Sequence, residues 1–123
     1  MNQLFLRDKD KQRLQRLIAD YLPGITVWSY GSRVTGEAHE ASDLDIVLRS
    51  KDLSPIPTHQ FKRFIEAVRE SNIPILIDAH DWVHLPASFH KEILKNHVEL
   101  NTVVSVGYTN EASYIALLNQ DFR

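Results

Sequence analysis

Asp43 and Asp45 stand two apart in Ser42-Asp43-Leu44-Asp45-Ile46-Val47-Leu48. A glycine turn with a hydroxyl, Gly31-Ser32-Arg33-Val34-Thr35-Gly36, ends seven residues before them. Alternate side chains of a strand share a face, so both carboxylates point one way while Leu44, Ile46 and Leu48 point into the core. Carboxylates this close repel, and without compensation one of them takes a proton. A divalent cation removes the conflict and uses both as hard oxygen ligands. The plainer alternative is a polar strand face open to water. Asp78 weighs against it, because it sits in the otherwise apolar Ile75-Leu76-Ile77-Asp78-Ala79. A carboxylate there is costly unless paired or metal-bound. If the two strands are neighbours, three aspartates converge and can bind two Mg²⁺ ions. One would escort a triphosphate; the other would lower the pKa of an attacking hydroxyl, with Asp78 as ligand and base.

The glycine turn fits the first half of a P-loop and then departs from it. Lys and Ser or Thr should follow Gly36, but Glu37 and Ala38 do. A carboxylate thus replaces the lysine that would reach the phosphates. The G-x-G-x-x-G spacing of a dinucleotide site is also absent. What remains is a strand running into Gly-Ser at the start of a helical turn, where backbone N–H groups make an anion site. Gly31 permits close approach, Ser32 adds a donor, and Arg33 offers a guanidinium to a phosphate oxygen. An ordinary tight turn is the alternative reading of Gly-Ser alone.

Helices and strands alternate around these residues. Leu14, Leu17, Ile18, Tyr21 and Leu22 follow helical spacing, and Pro23-Gly24 ends the run. Ile25 to Tyr30 reads as a strand entering the glycine turn. Val34 to Glu40 reads as a short helix or turn, and Asp43 to Arg49 as a second strand. Phe61, Phe64, Ile65 and Val68 form another helical stripe, and Ile75 to Ala79 a third strand. Pro86 suits the first turn of a helix with Phe89, Ile93 and Leu94 inward. Val103-Val104 suggests a last short strand, and Ala112, Ile115, Ala116 and Leu118 a weak terminal helix. The pattern is α/β, a small sheet flanked by helices in a single domain, 1–123. Strand order is not legible from periodicity.

Composition narrows the class. The chain has 123 residues, a net charge of −2 and no cysteine. Disulfides and thiolate zinc sites are excluded, and no global field draws the protein to nucleic acid. No signal peptide or membrane-spanning run is visible, so a cytoplasmic protein is expected. His80 and His84 stand four apart but lack the H-E-x-x-H pattern of a zinc helix. Trp28 and Tyr30 make one strand face aromatic, for core packing or for contact with a base. Lys62, Arg63 and Arg69 read as a solvated helix face rather than an RNA-binding patch.

Taken together, Tyr30-Gly31-Ser32, Ser42-Asp43-Leu44-Asp45-Ile46-Val47 and Ile77-Asp78-Ala79-His80-Asp81-Trp82 resemble the DNA polymerase β-like nucleotidyltransferase superfamily. The match is to its minimal nucleotidyltransferase (MNT) group, over about residues 10 to 104. The resemblance implies the polymerase β-like fold, metal at Asp43, Asp45 and Asp78, and triphosphate at Gly31 and Ser32. It implies in-line attack on the α-phosphate of ATP with pyrophosphate leaving. It also implies a partner: MNT proteins act as antitoxins of HEPN-domain RNase toxins and transfer AMP to a toxin tyrosine. Ala79 and His80 stand where the pattern has apolar residues. Asp81 and Trp82 read as structural, and 107–123 has no counterpart.

The short chain points the same way, since one small domain holding triphosphate and metals has little left for a second substrate. Two other functions fit the same residues. One is an antitoxin that acts by occlusion alone; the other is a transferase for a small-molecule acceptor.

Overall fold

The computed structural model describes residues 3–39 and 41–101. A helix, α1 (Asp8–Tyr21), leads into β1 (Thr26–Tyr30) and the one-turn α2 (Ser32–Thr35). Then come β2 (Leu44–Arg49), α3 (Thr58–Arg69), β3 (Ile77–Asp81), α4 (Ala87–Lys95) and β4 (Val98–Glu99). A single 3-10 turn, Trp82–His84, joins β3 to α4. The four strands form one mixed sheet in the order β3-β2-β1-β4. β2 runs antiparallel to β1 and parallel to β3, and β4 runs antiparallel to β1. Parallel neighbours need a crossover, and α3 supplies it.

One sheet face is the main core. Val27, Leu44, Ile46, Leu48 and Ile77 pack there against Leu14, Ile18 and Leu22 of the α1 segment and Phe64 and Val68 of α3. The helical stripes read from the sequence at 14–22 and 61–68 are the stripes that face this core. Asn101 extends the β1–β4 ladder by side chain. Its Oδ1 accepts from the Val27 N–H at 2.7 Å, and its Nδ2 donates to the Ile25 carbonyl at 2.8 Å.

The second face is only half covered. Val47, Trp82 and Ile93 form a small cluster, with Trp28 and Tyr30 packed on it. The Arg49 guanidinium lies 4.1 Å from the Trp28 ring centre and 4.4 Å from that of Trp82. His97 stacks on Trp28 and His90 on Trp82, each at 3.8 Å. Trp28 therefore serves packing, one of the two uses expected for it.

Three expectations are corrected. The third strand begins at Ile77 and runs to Asp81, not Ile75 to Ala79. The apolar run disguises the boundary, but Leu76 is exposed and precedes the strand. Of the three α4 residues expected inward only Ile93 is buried; Phe89 and Leu94 are exposed. Pro86 precedes this helix in extended conformation as its cap rather than lying in its first turn. The expected strand at Val103-Val104 and the helix around Ala112 to Leu118 lie outside the described residues. Among the described residues no helix is long and apolar enough to cross a membrane.

Candidate active site

The sheet register draws three strands into one row. Tyr30, the last residue of β1, is the antiparallel partner of Asp45, and Asp45 is the parallel partner of Asp78. All three project to the face that α4 leaves uncovered at this end, because the alternating residues Leu44, Ile46 and Ile77 fill the core opposite. Asp43 precedes β2 and is exposed; Asp45 is half-buried. The Asp78 carboxylate is 49% exposed, so burial inside an apolar strand is not what constrains it. Its proximity to Asp45 is.

Gly31 joins the glycine turn to this row. It has φ +83° and ψ −155°, a region essentially reserved for glycine. A Cβ built on it would come 2.6 Å from Oδ2 of Asp45. The turn and the carboxylate therefore meet without an intervening side chain. Gly31 caps α2, and Ser32 is its first residue. Beside them lies a cleft of about 320 Å³ between the glycine turn and α4. It is lined by Tyr30, Gly31 and Thr35 on one side and Ser88, Phe89, Glu92, Ile93 and Asn96 on the other.

The electrostatics follow from this gathering. Burial first, then the charges of Asp78 and Asp43, raise the Asp45 pKa above the ordinary carboxylate value. Burial, then Asp45 and Asp78, push the Tyr30 phenol up to about 12. His80 approaches Asp78, Nε2 to Oδ1, at 3.3 Å.

These strands and this turn have known relatives. A family profile described as "Poly(A) RNA polymerase, mitochondrial-like, central palm domain" matches residues 2–104. A Haemophilus influenzae protein named probable protein adenylyltransferase MntA is 39% identical over 88 residues, 72% of each chain. The chain belongs to the MntA-type nucleotidyltransferase family. Solved structures agree on the fold of this minimal nucleotidyltransferase. A chain from a crystal structure of a toxin–antitoxin with AMP-PNP matches with TM-score 0.60 at 15% identity, covering 91% of this chain and 86% of that one. A chain from the structure of a tri-AMPylated Shewanella oneidensis HEPN toxin in complex with MNT antitoxin matches with TM-score 0.57 at 13% identity, covering 79% and 74%.

Arg33 does not do in this nucleotidyltransferase what its position suggests. Its side chain is buried. Nε donates to the Ser42 carbonyl at 3.0 Å and Nη1 to the Phe5 carbonyl at 2.7 Å. Nη2 donates to Ser42 at 2.9 Å and to the His39 carbonyl at 3.4 Å. The Phe5 N–H returns a bond to the Arg33 carbonyl at 2.8 Å. The expectation of a phosphate ligand is corrected: the guanidinium is a hub that ties Phe5, His39 and Ser42 to the glycine turn. Asp81 is structural as expected, with Oδ2 accepting from the Ile56 N–H at 2.8 Å.

The row of acidic groups fits a hard divalent cation by donor chemistry, since like charges crowd around Asp45 and carboxylate oxygens are the ligands such ions prefer. Among the described residues no three His, Asp or Glu side chains already converge on one point. The carboxylates share a face and a level rather than a closed cage. Tyr30 was read from the sequence as packing or as a base contact, and its place beside the carboxylates was missed. Its alternation with Trp28 puts the two rings on one strand face, but only the register opposes Tyr30 to Asp45.

Proposed function

We propose that this protein is a magnesium-dependent adenylyltransferase that neutralises a HEPN-domain toxin by transferring AMP from ATP to a tyrosine of it. The observation that carries the reading is the level row Tyr30–Asp45–Asp78, with Gly31 in direct apposition to Asp45. The naming of the Haemophilus relative and the AMP-PNP and AMPylated-toxin neighbours support it.

In this reading Gly31 and Ser32 take the β- and γ-phosphates through backbone N–H groups and the Ser32 hydroxyl. The cleft between the glycine turn and α4 takes the nucleoside. Asp43, Asp45 and Asp78 hold the magnesium, two ions in the arrangement proposed from the sequence. Magnesium held there would neutralise phosphate charge and lower the pKa of the attacking hydroxyl. The tyrosine oxygen forms a bond to the α-phosphorus, the bond from that phosphorus to the bridging oxygen breaks, and pyrophosphate leaves. Asp78 receives the phenolic proton.

Mass spectrometry of the HEPN protein co-expressed with this chain tests the reading. Added AMP on tyrosine is expected with the wild type and none with Asp43→Asn/Asp45→Asn. An unmodified partner that the double variant still neutralises would replace catalysis with occlusion.

A further inference from the structure

The row of site residues has a direction. Gly31 and Ser32 lie at its β1 end, Asp45 at its centre and Asp78 at its β3 end. Phosphoryl-type transfer sets the attacking and leaving oxygens roughly in line. With pyrophosphate leaving toward Gly31, the nucleophile arrives from the Asp78 side. The β1 side is closed to it, because α2 and α4 border the cleft there.

On the Asp78 side the sheet ends. β3 is its edge strand, and among the described residues no strand pairs with its outer side. The Leu76 carbonyl accepts from the Leu44 N–H at 2.9 Å and so points inward to β2. Main-chain groups alternate along a strand, so those of Ile77 and Ala79 point outward. An open edge is a template for another extended chain. Alongside it runs a groove of about 700 Å³ between β3 and α3, lined on the strand side from Ile75 through Asp78 to Ala79. Phe61, Ile65 and Leu76 give it an apolar floor, and Lys62, Glu66 and Arg69 of α3 stand along its side. Leu76 is 65% exposed, the most exposed of the large apolar side chains among the described residues.

We propose that the acceptor enters over the outer edge of β3, as an extended segment of a protein partner lying along that strand. The proposal rests on the adenylyltransferase reading above and adds the surface and the shape of the substrate. A strand added to β3 places successive side chains on opposite sheet faces. The residue carrying the hydroxyl lies on the Asp78 face. Its two neighbours lie on the groove face, against Phe61 and Ile65. The modified tyrosine is therefore flanked by apolar residues.

Three single variants and one exchange measurement test this. Leu76→Lys and Lys62→Glu change exposed groove positions; Leu94→Lys changes an exposed apolar position on α4, away from the groove. With the HEPN protein as acceptor, the groove variants raise the KM for that protein at least tenfold. Their KM for ATP and kcat at saturating acceptor stay at wild-type values, and Leu94→Lys changes neither. Wild-type acceptor KM in both groove variants overturns the proposal. An increase with Leu94→Lys alone does so too. Hydrogen exchange reads docking without turnover: the Ile77 and Ala79 amides slow on addition of the HEPN protein. If exchange there does not change, or is already slow in the free chain because residues 102–123 cover the edge, the proposal fails. A wild type that docks in this way but transfers no AMP would sink the adenylyltransferase reading and leave the docking surface standing.

Discussion

The carboxylate of Asp45 occupies the space that a side chain at position 31 would need. A Cβ on Gly31 would lie 2.6 Å from Oδ2, at a residue already held at φ +83°. Gly24 shares the positive φ, at +78°, but has nothing within 4 Å of its would-be Cβ. Gly24→Ala therefore measures backbone strain alone, about 1–2 kcal/mol. Gly31→Ala adds a collision and should exceed it by about 1–3 kcal/mol in urea melts. Placing Gly31→Ala on an Asp45→Ala background should recover at least about 0.5 kcal/mol of that excess. A Gly31→Ala cost that is the same with and without the Asp45 carboxylate would remove the collision from the account.

Asp45 and Asp78 are directly opposed like charges, which destabilises a strand pair by roughly 0.2–1 kcal/mol. Asp78→Asn should therefore raise the melting temperature of the metal-free protein by about 2–4 °C. The same substitution should lower AMP transfer at least about 100-fold. Magnesium should raise the melting temperature of the wild type and much less that of Asp78→Asn. A variant that is both less stable and inactive would point to a structural role instead.

Arg33 satisfies three backbone carbonyls from a buried position. Removing it strands those acceptors, so Arg33→Met should cost about 2–4 kcal/mol of stability. Lysine lacks the planar fork and should rescue little of the loss. At a temperature where Arg33→Met remains folded, its KM for ATP should stay within about threefold of wild type. A selective rise in that KM with unchanged stability would restore the phosphate-ligand role.

Asp10 is almost fully buried, and Arg7 bonds to it at 2.8 and 3.3 Å. This bond, opposed by burial, holds the Asp10 carboxyl below its ordinary value. A depressed folded pKa contributes stability above the unfolded pKa, and that stability is lost as pH falls through the folded one. Arg7→Gln should thus be less stable than wild type at pH 7. Its deficit should begin to shrink below about pH 4 and close at lower pH, as Asp10 protonates. A deficit independent of pH would show that Arg7 acts through packing.

The glycine turn and the facing of Asp45 were legible because each is local: Gly-Ser follows a strand, and Asp45 alternates with the buried Leu44 and Ile46, while Asp43 lies just ahead of β2. Asp78 was found by an argument that its 49% exposure does not support. What sets Asp78 beside Asp45 is the parallel pairing of β2 with β3, which only strand order reveals. Arg33 was misread because its partners Phe5 and Ser42 lie 28 and 9 residues away. On α4 the apolar residues Phe89, Ile93 and Leu94 offered no way to tell which one faced the sheet. Just half of that face needs covering, and Ile93 covers it.

The parallel pairing of β2 with β3 has a kinetic corollary. Asp45 and Asp78 meet only after the chain has passed through α3 and returned, whereas the hairpin-like β1–β2 pair closes over a short connection. Contacts of long sequence separation form late and slowly in small domains. A chain caught with β1 and β2 paired but β3 undocked would carry Gly31 and Asp45 without Asp78. The row Tyr30–Asp45–Asp78 would then be completed in one step, when the edge strand docks.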